Sequence, residues 1–330
     1  MTVPPDRPIR WGLLATGGIA DAFARDLALL PDAELVAVGS RSQAGADAFG
    51  ARFDVPRRHG SYEALAEDPD VDVIYVSTPH PGHRDATLLA IAGGKAVLVE
   101  KPFAMDLAQS REMVQAARSA GVFLMEAMWT RFLPHIRRIR QILAAGTLGD
   151  LVYLVAEHGQ WFPRNPEHRL FAPTLGGGAL LDLGIYPVSF AHMVLGTPTR
   201  VTAVSDRAFT GVDATTSMIL QRDGAHALLT TTLAAASANP AAIYGTEARI
   251  EIDGTFYFPT TFRVMSRDGE LLESFDAPDV GRGMQHEAAE VGRCLRAGLT
   301  ESPELPLDET LAIMATLDEI RRQIGLTYPD

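Results

Sequence analysis

The chain has 330 residues, 47% of them hydrophobic, with a single cysteine and a formal net charge of −12 at pH 7. That length exceeds what one core usually organises, so two domains are expected. The acidic balance argues against nucleic acid or an anionic membrane as a partner. Cys294, set in the rhythm Ala288, Val291, Cys294, Leu295, excludes an intramolecular disulfide or a cysteine zinc cluster and reads as core filler. Residues 1–10 hold three prolines and no apolar signal core, and no uninterrupted apolar stretch reaches membrane length. A cytoplasmic enzyme or binding protein is the expectation.

Arg10 to Ala15 reads as a first strand, followed by the turn Thr16-Gly17-Gly18-Ile19 and a helical pattern through Leu30. The dinucleotide fingerprint Gly-x-Gly-x-x-Gly/Ala would fall on Ala15, Gly17 and Ala20, so only its middle glycine is present. Amides at the start of that helix still suit phosphate oxygens. The second strand, Glu34 to Ser40, ends in Ser40-Arg41-Ser42 where an NAD site usually carries an acid for the ribose hydroxyl. A guanidinium beside hydroxyls suits a 2′-phosphate, which points to NADP(H), with NAD(H) possible. The plainer alternative is that Arg41 caps the helix 43–53.

Ser61 reads as the N-cap of a short helix. The strand Val71 to Ser77 runs into Thr78-Pro79-His80-Pro81-Gly82-His83, a loop whose prolines hold it open at the strand's carboxyl edge, where a nicotinamide or its ribose could lie. His83 is placed to cap the helix 84–92. Lys95 to Lys101 is an apolar run bounded by Gly93-Gly94 and Pro102, as in a strand buried on both faces, and Glu100 and Lys101 emerge at the sheet edge where ligands bind. A helix 107–120 capped by Asp106 and a strand 122–126 complete the half. Strands alternating with helices predict an α/β fold with a doubly wound parallel sheet.

After Pro134 a basic helix to Ala145 presents a solvated face. Strands then arrive in succession, at 151–158, 201–207, 215–221, 225–233 and 248–253, which predicts a mainly antiparallel sheet with a few helices. The long connection 159–178 carries Trp161, Phe162, Arg164, His168, Arg169 and Phe171; these form either a binding loop or a small satellite core. Asp182 and Tyr186 are four apart and share a face if the segment is helical, although Pro187 disfavours helical geometry at Tyr186. Helical periodicity returns at 286–297 and 307–324, with Asp308 a possible cap.

The strand and Gly-rich turn, Ser77-Thr78-Pro79 and Glu100-Lys101-Pro102 together resemble the Gfo/Idh/MocA family of NAD(P)-dependent oxidoreductases over nearly the whole chain. The run Phe123-Leu124-Met125-Glu126-Ala127-Met128-Trp129-Thr130-Arg131-Phe132-Leu133-Pro134 is similar to the subgroup of dimeric dihydrodiol dehydrogenases and NADP-dependent D-xylose dehydrogenases. The resemblance implies a Rossmann domain over 1–128. It also implies a substrate-binding and dimerisation domain over 129–330, with an open sheet and with C-terminal helices packing back on the first domain. It further implies a small polyol or sugar substrate, a homodimer through the C-terminal sheet, and no nucleic acid or membrane partner.

On the same ground Tyr186, in the slot where the wider family has histidine, is the proton donor or acceptor and Lys101 its partner. A phenol with a pKa of about 10 is a poor base at neutral pH, and a neighbouring ammonium favours the phenolate. Asp182 would orient Lys101 or a substrate hydroxyl, and Trp129, Arg131, Arg169 and Phe171 would shape the substrate side. The cofactor set is Thr16, Gly17, Gly18, Ile19, Ser40, Arg41, Thr78, Pro79, His83, Glu100 and Lys101. The competing expectation is a non-catalytic cofactor-binding regulator or scaffold on the same fold.

Overall fold

The apolar runs of the first half become one parallel sheet of six strands, β1 (Ile9–Leu14), β2 (Ala33–Gly39), β3 (Arg57–His59), β4 (Val73–Val76), β5 (Ala96–Glu100) and β6 (Leu124–Ala127), in the computed structural model, which describes residues 3–4, 6–277 and 281–329. The strands are joined by α1 (Gly18–Leu27), α2 (Gln43–Arg52), α3 (Tyr62–Ala66), α4 (His83–Ala92) and α5 (Leu107–Ala120). Every residue of β4 and β5 is buried, as the unbroken Val/Ile/Leu runs require of strands covered on both faces. The order β3-β2-β1-β4-β5-β6 changes direction between β1 and β4. That reversal opens a crevice at the strands' carboxyl ends, where such sheets bind ligands.

Two compact units make up the chain, Met1–Trp129 with Val280–Leu311, and Thr130–Asp279 with Ala312–Asp330. In the second, α6 (Pro134–Ala144) buries His135, Ile136, Ile139 and Ile142 along one stripe. Its arginine face is not wholly solvated: Arg138 forks onto Glu273 at 2.7 and 2.8 Å. An eight-stranded sheet follows, from β7 (Leu151–Gly159), β8 (Arg200–Arg207), β9 (Asp213–Arg222), β10 (Ala225–Thr232), β11 (Ala241–Gly245), β12 (Ala248–Ile252), β13 (Phe262–Ser266) and β14 (Leu271–Phe275). Its order is β14-β13-β12-β11-β7-β10-β9-β8, antiparallel except for the β7/β10 pair. The strands β11, β13 and β14 were not among those expected; each is five residues long, and of the strands that short in this sheet only β12 was anticipated.

Helix α7 (Ile185–Leu195) packs on β7 and β10. The segment Pro173–Leu195 is, contrary to expectation, long and apolar enough to cross a bilayer by length and composition, but 83% of its most apolar window is buried, so it is a core helix. The other face of the sheet leaves Val204, Ile219 and Leu228 exposed. Residues 280–311 return to the first unit with α8 (Gln285–Arg296), where Cys294 is fully buried, and the start of α9 (Leu307–Ile324).

Candidate active site

In the first unit the chain leaves β1 through Ala15, whose φ of +86° lies in the left-handed region. That geometry explains why glycine normally holds this slot, since an alanine Cβ is strained there. Gly17 sits at the N-cap of α1 without a side-chain cap bond, and a Cβ built on Gly17 or Gly18 meets nothing within 4 Å. Thr16 and Ile19 flank that opening, half-buried. The residues present therefore fit a dinucleotide phosphate: bare amides, a positive helix end and room for close backbone approach.

At the end of β2, Ser40 is half-buried and Arg41 exposed. Ser42, not Arg41, caps α2, its hydroxyl accepting from the Gly45 amide at 3.2 Å. Among the described residues no carboxylate pairs with Arg41. Its charge acts on Tyr62, whose pKa burial raises while Arg41 pulls it down.

At the end of β4, the Thr78 hydroxyl is buried without a partner among the described residues, and Pro79 is exposed beside it. His83 does not simply cap α4. Its ring is fully buried between two loops, Nδ1 lying 2.8 Å from the Pro102 carbonyl and Nε2 2.9 Å from that of Thr78. Burial, with His80 and Lys101 nearby, holds its pKa down at about 3 against the pull of the two carbonyls. One imidazole thus ties the Ser-Thr-Pro turn to the Glu-Lys-Pro turn. Glu100 faces inward, accepting from the Tyr75 hydroxyl and, at 3.1 Å, from the Lys101 amide, while Tyr75 stacks on Phe23 at 3.9 Å. Lys101, one residue on, is half-buried at the carboxyl end of the sheet. Trp129 is buried, with the Arg282 guanidinium 5.8 Å from its ring centroid.

In the second unit a π-helical turn, Leu180–Gly184, leads into α7. Such turns are uncommon and concentrate at functional sites. Asp213 holds the helix start, accepting from the Leu180 amide at 2.7 Å and the Thr216 hydroxyl at 2.9 Å, and burial raises its pKa. Asp182 is gripped by both guanidinium arms of Arg169, at 2.9 and 3.1 Å. Arg131 is buried and donates to the Ser189 carbonyl at 3.1 Å, bracing α7 one turn beyond Tyr186. Phe171 lies in a small core with Leu170, Ala179, Leu183 and Leu233, so part of the long loop is a satellite core, while Trp161 on the same loop is exposed.

Tyr186 is 7% exposed, its ring edge-on to His158 at 5.1 Å between centroids and tilted on Tyr257 at 5.0 Å. His158, Tyr257 and Asp213 were not singled out from the sequence. They lie on separate strands or loops, and no local pattern links them to Tyr186.

A family profile described as "Oxidoreductase family, NAD-binding Rossmann fold" matches residues 9–128, and one described as "GFO/IDH/MocA C-terminal domain" matches 136–251. The trans-1,2-dihydrobenzene-1,2-diol dehydrogenase of Macaca fuscata fuscata is 43% identical over 331 residues, with 97% of this chain and 98% of that protein covered. The chain belongs to the GFO/IDH/MocA oxidoreductase family. The human dehydrogenase of the same name is 42% identical, with 97% of this chain and 98% of that one covered. Among solved structures, an aldose-aldose oxidoreductase from Caulobacter crescentus complexed with glycerol superposes with a TM-score of 0.88 at 25% identity, covering 97% of this chain and 98% of that one. A 3-ketoreductase from Actinomadura kijaniata in complex with NADP and TDP-benzene gives 0.85 at 27%, covering 96% and 98%. The first unit of this GFO/IDH/MocA protein is thus an NAD-binding Rossmann domain, and the crevice beyond β1 and β4 is where its phosphate-fitting turn lies.

Proposed function

We propose that the protein is an NADP(H)-dependent dehydrogenase or reductase acting on a CH–OH group of a small polyol, either an aldose such as D-xylose or a trans-dihydrodiol. When bound, the nicotinamide takes up or gives the hydride at its C4. In the oxidative direction the substrate C–H bond breaks with its electron pair, and Tyr186 Oη takes the hydroxyl proton as the carbonyl forms. Lys101 holds the reacting oxygen and favours the phenolate, and in the reductive direction both steps reverse. The observation that supports this reading best is the setting of Tyr186: a nearly buried phenol on a helix fixed at Asp213, Asp182 and Ser189. Such bracing suits a group that must hold a reacting geometry.

Arg41, exposed at the end of β2 with no carboxylate partner among the described residues, is our reason for favouring NADP over NAD. Val204, Ile219 and Leu228 on the open sheet face are our reason for placing a second copy of the chain there. Light scattering on Ile219→Glu tests that assembly, and an unchanged mass would reject it.

The main test is reduced-cofactor absorbance with NADP and NAD across an aldose and dihydrodiol panel. Tyr186→Phe should abolish turnover with cofactor affinity nearly intact, and undiminished turnover would exclude the proton role. Arg41→Ala should weaken NADP more than NAD, whereas equal loss would exclude the phosphate role. Cofactor binding without turnover across the panel would favour the regulatory alternative.

A further inference from the structure

Pro187 lies directly after Tyr186 and has no amide hydrogen. In a continuing α-helix the Leu183 carbonyl would bond the amide of residue 187, so the sequence removes that donor. The structure turns the Ile185 amide onto this carbonyl and adds a side-chain donor: His158, nearly at the end of β7 and buried, lies with Nδ1 3.1 Å from the Leu183 oxygen. A carbonyl only accepts, so Nδ1 carries the hydrogen. The other nitrogen, Nε2, is 2.9 Å from the Gln160 side-chain amide, which donates to it, and the same amide reaches the Tyr257 hydroxyl at 3.3 Å. A neutral imidazole satisfies both contacts, and Gln160 selects its tautomer. The ring also stacks on Tyr257 at 3.8 Å and stands edge-on to Tyr186, with 69° between planes.

We propose that His158 is a positioning residue for Tyr186: it replaces the backbone bond that Pro187 removes, and its ring fixes the rotation of the phenol. This inference rests on the proton role of Tyr186 proposed above and adds the residue that acts through it. Rigid support for a reacting group matters because a displacement of about 1 Å costs roughly 100-fold in rate.

Two variants separate the contributions. His158→Phe keeps a ring and deletes the donor. His158→Asn keeps an N–H near the position of Nδ1 and deletes the ring. With the substrate of the panel that the wild type turns over, His158→Phe should lower kcat by about 10- to 100-fold. The dissociation constant for NADP, measured by fluorescence titration, should change less than about twofold, because the phosphate-fitting turn lies in the other unit. His158→Asn should recover part of the loss. Gln160→Met, at a half-buried position, leaves His158 in place but frees its tautomer, and should lower kcat by a smaller factor with unchanged NADP affinity. Wild-type kcat in His158→Phe, or equal loss of kcat and NADP affinity, would overturn the inference. So would an asparagine variant no better than the phenylalanine one. A wild type inactive on the whole panel would instead reject the proposed function.

Discussion

Helix α8 carries Glu287 into the interior of the first unit, fully buried, with neither carboxylate oxygen hydrogen-bonded among the described residues. Burial first, then the charges of Glu100, Asp26 and Glu126, push its pKa well above the usual glutamate range. Folding therefore favours its neutral acid over the carboxylate. The sign of the linkage follows. Below about pH 4.5 both folded and unfolded chains hold this proton, and there is no penalty. Above that the unfolded chain releases the proton and the folded one does not, so stability falls by about 1.4 kcal/mol per pH unit until the folded-state pKa is reached.

Glu287→Gln keeps the shape of the neutral acid and cannot ionise. It should gain on the wild type by that same increment with each pH unit, about 2–4 °C in Tm per kcal/mol for a unit of this size. Urea unfolding across a pH series, read by the fluorescence of Trp11 and Trp129, reports on this unit because both indoles are buried within it. A difference that does not grow between pH 5 and pH 7 would refute the neutral-acid argument.

Acid should act in the opposite sense through two buried histidines, His83 and His192, whose pKa values burial lowers to about 3. Their unfolded forms take up protons below about pH 6.5 and the folded forms do not, so each costs about 2 kcal/mol by pH 5. His192→Asn should remove its share of that slope in thermal unfolding, and an unchanged slope would reject the assignment. Ala15→Gly should stabilise the protein by about 1 kcal/mol in denaturant melts, because relief of the left-handed strain exceeds the entropy that glycine adds to the unfolded chain. Arg169→Ala leaves the nearly buried Asp182 without its forked partner. Because the arginine side chain is 53% exposed, the cost should be about 1–2 kcal/mol in the same melts, between surface and buried-pair values.

The first unit was legible because its signals are local. Val97-Leu98-Val99 can only be a strand covered on both faces, and Asp106 and Ser61 cap the helices they precede, accepting from Gln109 and Ala64 at 2.8 and 3.2 Å. The parallel order of β1 to β6 follows from the alternation of these strands with helices, since parallel neighbours need a crossover. In the second unit the long strand β10 alternates buried and more exposed residues along its whole length, and β9 buries every second residue from Thr216 to Leu220, clearly enough to read. Strand β14, with no fully buried residue, gives no such pattern, and only its pairing to β13 defines it.

The site divides the same way, between covalent neighbours and partners that folding brings in. Glu100 and Lys101 are adjacent, and so could be read as a pair, yet the sequence does not say that the carboxylate turns inward to Tyr75. Asp182 and Tyr186 could be placed on one helix, but the arginine that holds Asp182 comes from a loop whose charges alone suggested a substrate. Pro187 was readable as a disturbance of helical geometry. What it disturbs could not be read: the carbonyl that loses its helical donor is Leu183's, and besides the Ile185 amide its donor is a strand residue with no sequence relation to the helix. A helix-breaking residue beside a reactive one is therefore best followed to the carbonyl whose helical donor it removes, because a buried acceptor must find a donor and the donor's identity is set by packing. Here that path leads from Pro187 to His158, and from His158 to the wall against which Tyr186 stands.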